Sequence, residues 1–283
     1  MRGAIFAIIG SMRPSPNTKW FRRIALLAGS LFMSTAQASD KPLLEGEIGM
    51  VQSIVDGDTL FLENGLKVRL SAMQAPKLPL GRPEVKAWPL STTAKKELEK
   101  LALGQEVQLY YGGLQRDRYD RALAQVFLLD DAGEKTIWLQ EEMIRRGYGR
   151  VYTWPDTWQD SERLFAAERE ARAAERGIWG RDFYKIRTPE PNNLSQDMDS
   201  FQIVEGIIVS TAKVRDKMFL NFGADYRTDF TVFVTKEGQR RFKKAELDLM
   251  SLEGARVRVR GWVEIQNGPT MILDHAERLE ILD

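Results

Sequence analysis

The chain has 283 residues, 43% apolar and 29% charged, which suits about two folded domains and excludes a disordered or membrane-embedded class. It has no cysteine and one histidine, His275, which rules out disulfides, zinc–thiolate sites and histidine-rich metal clusters. The formal charge of +1 offers no general attraction to a polyanion.

The first stretch reads as a targeting segment. Lys19, Arg22 and Arg23 are a basic start, Ile24 to Met33 is a short apolar run, and Ala36-Gln37-Ala38 is a small-residue cleavage site. Residues 1–38 are expected to be a signal peptide cut after Ala38, with the chain exported to a periplasm or secreted. The apolar run is too short for a free membrane span, so no stable span is expected after cleavage. Gly3 to Met12 is a second apolar piece, which makes Met12 an alternative start to Met1. Residues 1–38 hold five of the 41 cations and none of the 40 acids. The remainder therefore has 36 cations against 40 acids, a formal charge of −4, and polyanion binding would need a local basic patch.

From Leu43 to Met73 strands follow one another. Val55-Asp56-Gly57-Asp58-Thr59 puts two carboxylates around a glycine within them. It is either a surface turn or a pair of acids aimed at a cation. Glu63-Asn64-Gly65 signals a hairpin. In Leu66-Lys67-Val68-Arg69-Leu70, Lys67 and Arg69 share one strand face. A Pro-rich loop over 77–90 leads to a helix over 94–102, capped by Ser91 or a neighbouring threonine. Val107 to Tyr111 and Ala122 to Leu129 read as strands around a charged turn at 116–121. Helices are expected over Thr136–Arg146 and Thr157–Arg176. Residues 186–200 read as a polar, Pro-containing linker. From 201 to 283 the pattern is five strands with a helix between the third and fourth: 201–214, 217–222, 230–235, helix 236–249, 256–265 and 270–282. This order fits a small OB-type barrel.

Residues 43–183, within a first domain expected over 43–185, resemble the staphylococcal nuclease (thermonuclease) family. The resemblance rests on the Val-Asp-Gly-Asp-Thr bend, Val68-Arg69-Leu70, Ala75-Pro76, the Asp117–Ala124 segment with Arg121, Arg145-Arg146-Gly147 and Gly177-Ile178-Trp179. It implies an α+β, mainly β fold: a five-stranded OB barrel with three helices, here followed by a second OB-like barrel. It also implies calcium-dependent cleavage of DNA and RNA phosphodiesters. Carboxylates would hold the cation, two arginines would clamp phosphoryl oxygens, and a glutamate would handle the attacking water. Asp58 matches the first calcium ligand, Asp56 is its neighbour in the bend, and Arg69 and Arg121 match the clamp. The family's second calcium carboxylate and its glutamate are replaced by Gln74 and Lys77.

Gln74 offers only a neutral oxygen, and Lys77 brings a positive charge of its own. These replacements weigh against calcium. They suggest that Lys77 pairs with Asp58 or Asp56 and leaves a metal-free, phosphate-binding cleft. The expected function is an exported nuclease-like protein that binds nucleic acid or another phosphate polyanion with weakened or lost hydrolysis. An active metal-dependent nuclease and an envelope protein-interaction module are the alternatives. Tyr119 and Tyr152 are weak base-stacking candidates, with edge-of-core packing as the plainer reading. In the second barrel, Phe219, Phe222, Tyr226, Phe230 and Phe233 resemble a stacking platform with Arg215, Lys217 and Arg227 nearby, and core packing is the plainer reading. Arg256, Arg258 and Arg260 share a strand face that is the best local candidate for an anionic ligand. His275 reads as a surface or internally satisfied residue.

Overall fold

A computed structural model describes residues 42–282, so the segment read as a signal peptide lies outside the described residues. Strand β1 (Leu44–Asp56) runs antiparallel to β2 (Thr59–Leu62), and β2 to β3 (Lys67–Leu70). The β2–β3 hairpin turns where Asn64-Gly65 marks it. Gly65 takes φ 82°, and the Asn64 side chain accepts from the Leu66 amide at 3.0 Å. After the short β4 (Met73–Gln74) and a loop comes helix α1 (Ser91–Ala102). It opens without a side-chain cap, contrary to expectation, because Ser91 is its first helical residue and is buried. Its Ala94, Leu98 and Ala102 form one buried stripe.

Strand β5 (Glu106–Tyr111) returns to β1. Strand β6 (Ala122–Leu129) pairs antiparallel with β5 and parallel with β3. The ring β1-β2-β3-β6-β5 is the expected OB-type barrel. Lys135–Trp138 is a strand, β7, paired with the end of β6 beyond the residues that β3 takes, where a helix start was expected. Its β-branched and aromatic residues suit a pleated surface, and Trp138 pairs with Phe127. Helix α2 (Leu139–Arg145) begins only after it. Strand β8 (Arg150–Val151) pairs with β4, and α3 (Ser161–Ala173) follows, shorter at both ends than its pattern suggested.

Residues 186–200 carry the short helix α4 (Pro191–Leu194) and pack against the second barrel. Leu194 is fully buried there, and Arg187 pairs with Asp197 at 2.6 Å. The second barrel contains β9 (Ser200–Ile207), β10 (Ser210–Val214), β11 (Lys217–Asn221), β12 (Thr231–Val234), α5 (Lys236–Lys244), β13 (Arg256–Gln266), β14 (Gly268–Leu273) and β15 (Leu279–Leu282). Strands β9 and β10 are two halves of one expected strand. β10 pairs with β11, β11 with β12, β12 with β14 in parallel, β14 with β13, and β13 with β9. The strand order and the single parallel pairing match those of the first barrel. Phe222, Phe230 and Phe233 are buried, as period-two aromatics in a small barrel should be, whereas Phe219 is half-buried and Tyr226, out in the β11–β12 connection, is exposed. The helix stops at Lys244, short of its expected end, and the last expected strand breaks around His275 into β14 and β15. Among the described residues, no helix is long and apolar enough to cross a membrane.

Candidate active site

The acidic bend closes the hairpin between β1 and β2. Asp56 Oδ1 accepts from the Asp58 amide at 3.1 Å, a local turn that aspartate favours. Gly57 lies against helix α1 and the segment after β4. A Cβ there would fall 2.7 Å from Ala75 Cβ and 2.8 Å from Ala94 Cβ. Only glycine fits that close approach, and the approach drives Asp58 into the protein.

Asp58 has no exposed surface. Lys77 Nζ donates to both of its oxygens, at 2.8 Å and 2.6 Å. The Ala75 amide donates to Oδ2 at 2.7 Å, and Arg69 Nη2 lies 3.1 Å from the same atom. Burial alone would raise the Asp58 carboxyl. Arg69 and Lys77 outweigh it and, with the Ala75 amide, hold the group well below the usual carboxylate range. Asp56 goes the other way: burial first, then the Asp58 charge, push its carboxyl up. The ammonium of Lys77 thus occupies the position against Asp58 that a cation would take.

Arg69 is turned inward. Its guanidinium donates to the carbonyls of Leu70, Met73 and Asp58 as well as facing the Asp58 carboxylate. Arg121 Nε donates to Asp117 Oδ2 at 2.8 Å. The other Asp117 oxygen accepts the Tyr119 and Arg121 amides, so Asp117 organises this turn. Arg69 is level with Leu123 in the parallel β3–β6 pairing, which puts Arg121 on the same sheet face two residues away. Tyr119 is 64% exposed, with the Arg118 and Arg121 guanidinia 4.8 Å and 5.4 Å from its ring. The bend, Arg69 and Lys77 therefore form a closed polar cluster, while Arg121 and Tyr119 form its open rim. Glu84, in the loop over 77–90, is exposed.

Gln74 faces elsewhere. Its Oε1 accepts from Arg150 Nε at 3.0 Å and Nη2 at 2.8 Å. Arg150 Nη2 also donates to the Phe201 carbonyl of the second barrel at 2.8 Å, and its guanidinium lies 4.8 Å from the Phe201 ring. Tyr152 is corrected as a stacking candidate. Its ring is 4.5 Å from Phe201, its hydroxyl accepts from Trp262 Nε1 at 3.1 Å, and it is buried. The second barrel covers the face a base would need. Arg150 belongs to the Gly149-Arg150-Val151-Tyr152 stretch of the family resemblance, with no role attached to it, and Phe201 was read only as the start of a strand. Arg150 follows an ordinary Gly-Tyr-Gly, and no local pattern marks it as a partner of Gln74.

The arginine face of β13 is also corrected. Arg256 and Arg258 both pair with Glu205, and Arg260 is buried between Glu168 at 3.1 Å and Glu280 at 2.5 Å. Those charges are already neutralised. His275 is buried and satisfied, 2.7 Å from Thr153 Oγ1 and 2.6 Å from Asp274 Oδ1. A cleft of about 670 Å³ lies against β6, β7 and α2, lined by Tyr110, Phe127, Trp138 and Arg163, away from the bend. The chemistry argues for the bend and its rim as the site, since the cleft contains none of the residues matched to the family's cation and phosphate positions.

A family described as Staphylococcal nuclease homologue matches residues 67–181. An endonuclease of Escherichia coli O157:H7, otherwise uncharacterized, is 32% identical over 144 residues, which are 49% of this chain and 81% of that protein. The chain belongs to the staphylococcal nuclease family. Thermonuclease of Staphylococcus intermedius is 26% identical over 141 residues, 49% of this chain and 79% of the relative. Endonuclease YhcR of Bacillus subtilis is 29% identical over 149 residues, 49% of this chain but only 12% of that much longer protein. These family matches fall on about half of the chain, and the family model lies within the first barrel. At the family's calcium positions the available side-chain oxygens are those of Asp58, Asp56 and Gln74. Among the described residues, no group of three or more His, Cys, Asp or Glu gathers as a metal cage.

Proposed function

We propose that this nuclease-family chain handles nucleic acid, or another phosphate polyanion, at the rim formed by Arg121 and Tyr119, with hydrolysis weakened or lost. The single observation behind this reading is the Lys77 ammonium, which bridges both oxygens of Asp58. The residues present do not fit calcium. Asp58 already accepts from Lys77 and Ala75, Gln74 is held by Arg150, and Asp56 accepts from the bend's own amide. Calcium affinity follows the number and charge of oxygen ligands, and an ammonium within 3 Å of the only well-placed carboxylate opposes a divalent ion. A lysine also cannot take a proton from water as a glutamate does while it is paired and charged.

In this reading Lys77 fixes the bend. Arg69 is spent on carbonyls and Asp58, and Arg121, half-buried and paired with Asp117 at 2.6 Å, meets a phosphate by turning its remaining donors to it, beside an exposed ring on which a base can stack. The signal-like segment over 1–38 supports export, and this part of the proposal is checked by N-terminal sequencing of protein recovered outside the cytoplasm. A second reading, an active metal-dependent nuclease, is favoured by the endonuclease names of the relatives and by the retention of Asp58, Arg69 and Arg121.

Two measurements separate them. Calorimetric titration should give no tight calcium binding to the unmodified protein, and single-stranded DNA should be cut no faster with calcium than without. Tight binding with calcium-dependent cleavage would overturn the leading reading. A Gln74→Asp, Lys77→Glu variant is expected to gain calcium affinity.

A further inference from the structure

Helix α5 carries Lys236, Arg240, Lys243 and Lys244 at spacings of four, three and one, which places them on one stripe. The opposite side of the helix, Gly238 and Phe242, is buried in the barrel. All four cations are exposed. Lys236 lies 3.7 Å from Asp216, and Glu237 at the edge of the stripe is engaged by Arg241. Among the described residues, Arg240, Lys243 and Lys244 have no carboxylate partner within ion-pair distance, and Glu246 and Asp248, just past the helix, are exposed acids. Gln239 Nε2 donates to the Asp216 carbonyl at 2.8 Å, which brings the β10–β11 turn alongside the helix. That turn adds Arg215 and Lys217, both exposed. The contrast with β13 is direct, since its three arginines are consumed by Glu205, Glu168 and Glu280.

We propose that this helix face is a second nucleic-acid contact, gripping the sugar–phosphate backbone of a strand whose other part lies at the rim of the first barrel. This deepens the reading above and rests on it. Four cations spread over nine residues span about 12 Å of helix, several phosphate steps along a strand. The pattern supplies charge without base-reading groups, so the contact is independent of sequence. An anionic membrane is the competing occupant. Helices that lie on membranes bury an apolar face among the lipids, and the apolar side of α5 is already used by the barrel core. What remains suits a hydrophilic polyanion.

The test is fluorescence anisotropy of a labelled single-stranded oligonucleotide with the full chain across a salt series. Three variants are compared: Lys236→Gln, Arg240→Gln, Lys243→Gln and Lys244→Gln together; Arg256→Gln with Arg258→Gln; and Arg121→Gln. The helix variant should lose at least about tenfold in affinity at moderate salt, and its log K against log salt slope should flatten by about 3. The strand-arginine variant should keep the parent slope. Equal thermal midpoints show that the helix variant is folded. If they differ, replacing Lys236, Lys243 and Lys244 with Arg should retain parental binding.

If the helix variant binds like the parent while Arg121→Gln does not, the helix contact is overturned and the nucleic-acid reading stands. If the parent binds no oligonucleotide at low salt, both fall. Binding of the parent to phosphatidylglycerol-containing vesicles but not to the oligonucleotide, lost in the helix variant, would assign the face to a membrane and overturn the proposal.

Discussion

Asp58 is the residue on which the site turns. Its charge is buried and met by Lys77, Arg69 and the Ala75 amide, so its protonation is tied to folding. The folded carboxyl titrates below its unfolded value of about 3.9. Its contribution to stability is therefore present above about pH 4 and is lost as pH falls toward the folded value. The difference in Tm between the parent and Asp58→Asn should be widest near neutrality and shrink toward pH 2. A difference that does not change with pH would show that the ion pair carries no folding free energy. The opposite direction at Asp56 explains how two acids can share one bend. The buried neighbour that lacks a cation is driven toward its neutral form, and the paired one keeps its charge.

At the level of elements, charge placement on β13 and α5 separates structural from available cations. Arg260 has no exposed side-chain surface and lies between two acids. Replacing it with methionine leaves those acids facing one another, at a cost of about 3–5 kcal/mol. Arg256 is 57% exposed at the barrel surface, and the same replacement there should cost less than about 1 kcal/mol. Urea denaturation of the two variants checks this ordering. Equal losses would mean that the buried network is not an energetic element. The acidic bend follows the same logic of packing. Gly57 allows the hairpin to close onto Ala75 and Ala94, and that closure puts Asp58 within reach of Lys77.

On the scale of the whole molecule, two barrels of one topology share a seam of buried polar and aromatic groups. Arg150 reaches Gln74 on one side and Phe201 on the other, and Arg260 of the second barrel pairs with Glu168 of the first. Buried groups of this kind leave unpaired charges if either barrel opens alone. Thermal unfolding followed by near-UV and far-UV circular dichroism should therefore give coincident transitions. Phe201→Ala should lower stability by about 3–5 kcal/mol, because it empties a fully packed site against Tyr152 and Arg150. Two separated transitions in the parent would show that the seam does not couple the barrels. The same seam explains why residue 74 is no longer a free ligand position, since its amide has become one end of an interdomain contact.

Much of this was legible in the chain before folding. Alternation of apolar residues and the Asn64-Gly65 turn marked the strands, because side-chain period and turn chemistry are local properties; the family resemblance implied the first OB-type barrel, and the order of strands and helix suggested the second. Set against the family pattern, the exchange of acids for Gln74 and Lys77 also stood in the sequence, and charge suggested that the lysine would seek Asp58 or Asp56. Tertiary structure decided where each charge ended up. It gave Arg69 to backbone carbonyls, Gln74 to Arg150 and the β13 arginines to Glu205, Glu168 and Glu280. It buried Tyr152 under Phe201 and Trp262, half-buried Arg121 against Asp117, and left Tyr119 and the α5 stripe exposed. Most of these partners lie far apart in sequence, and an ion pair or a buried ring is set by which surfaces meet, which no local pattern records.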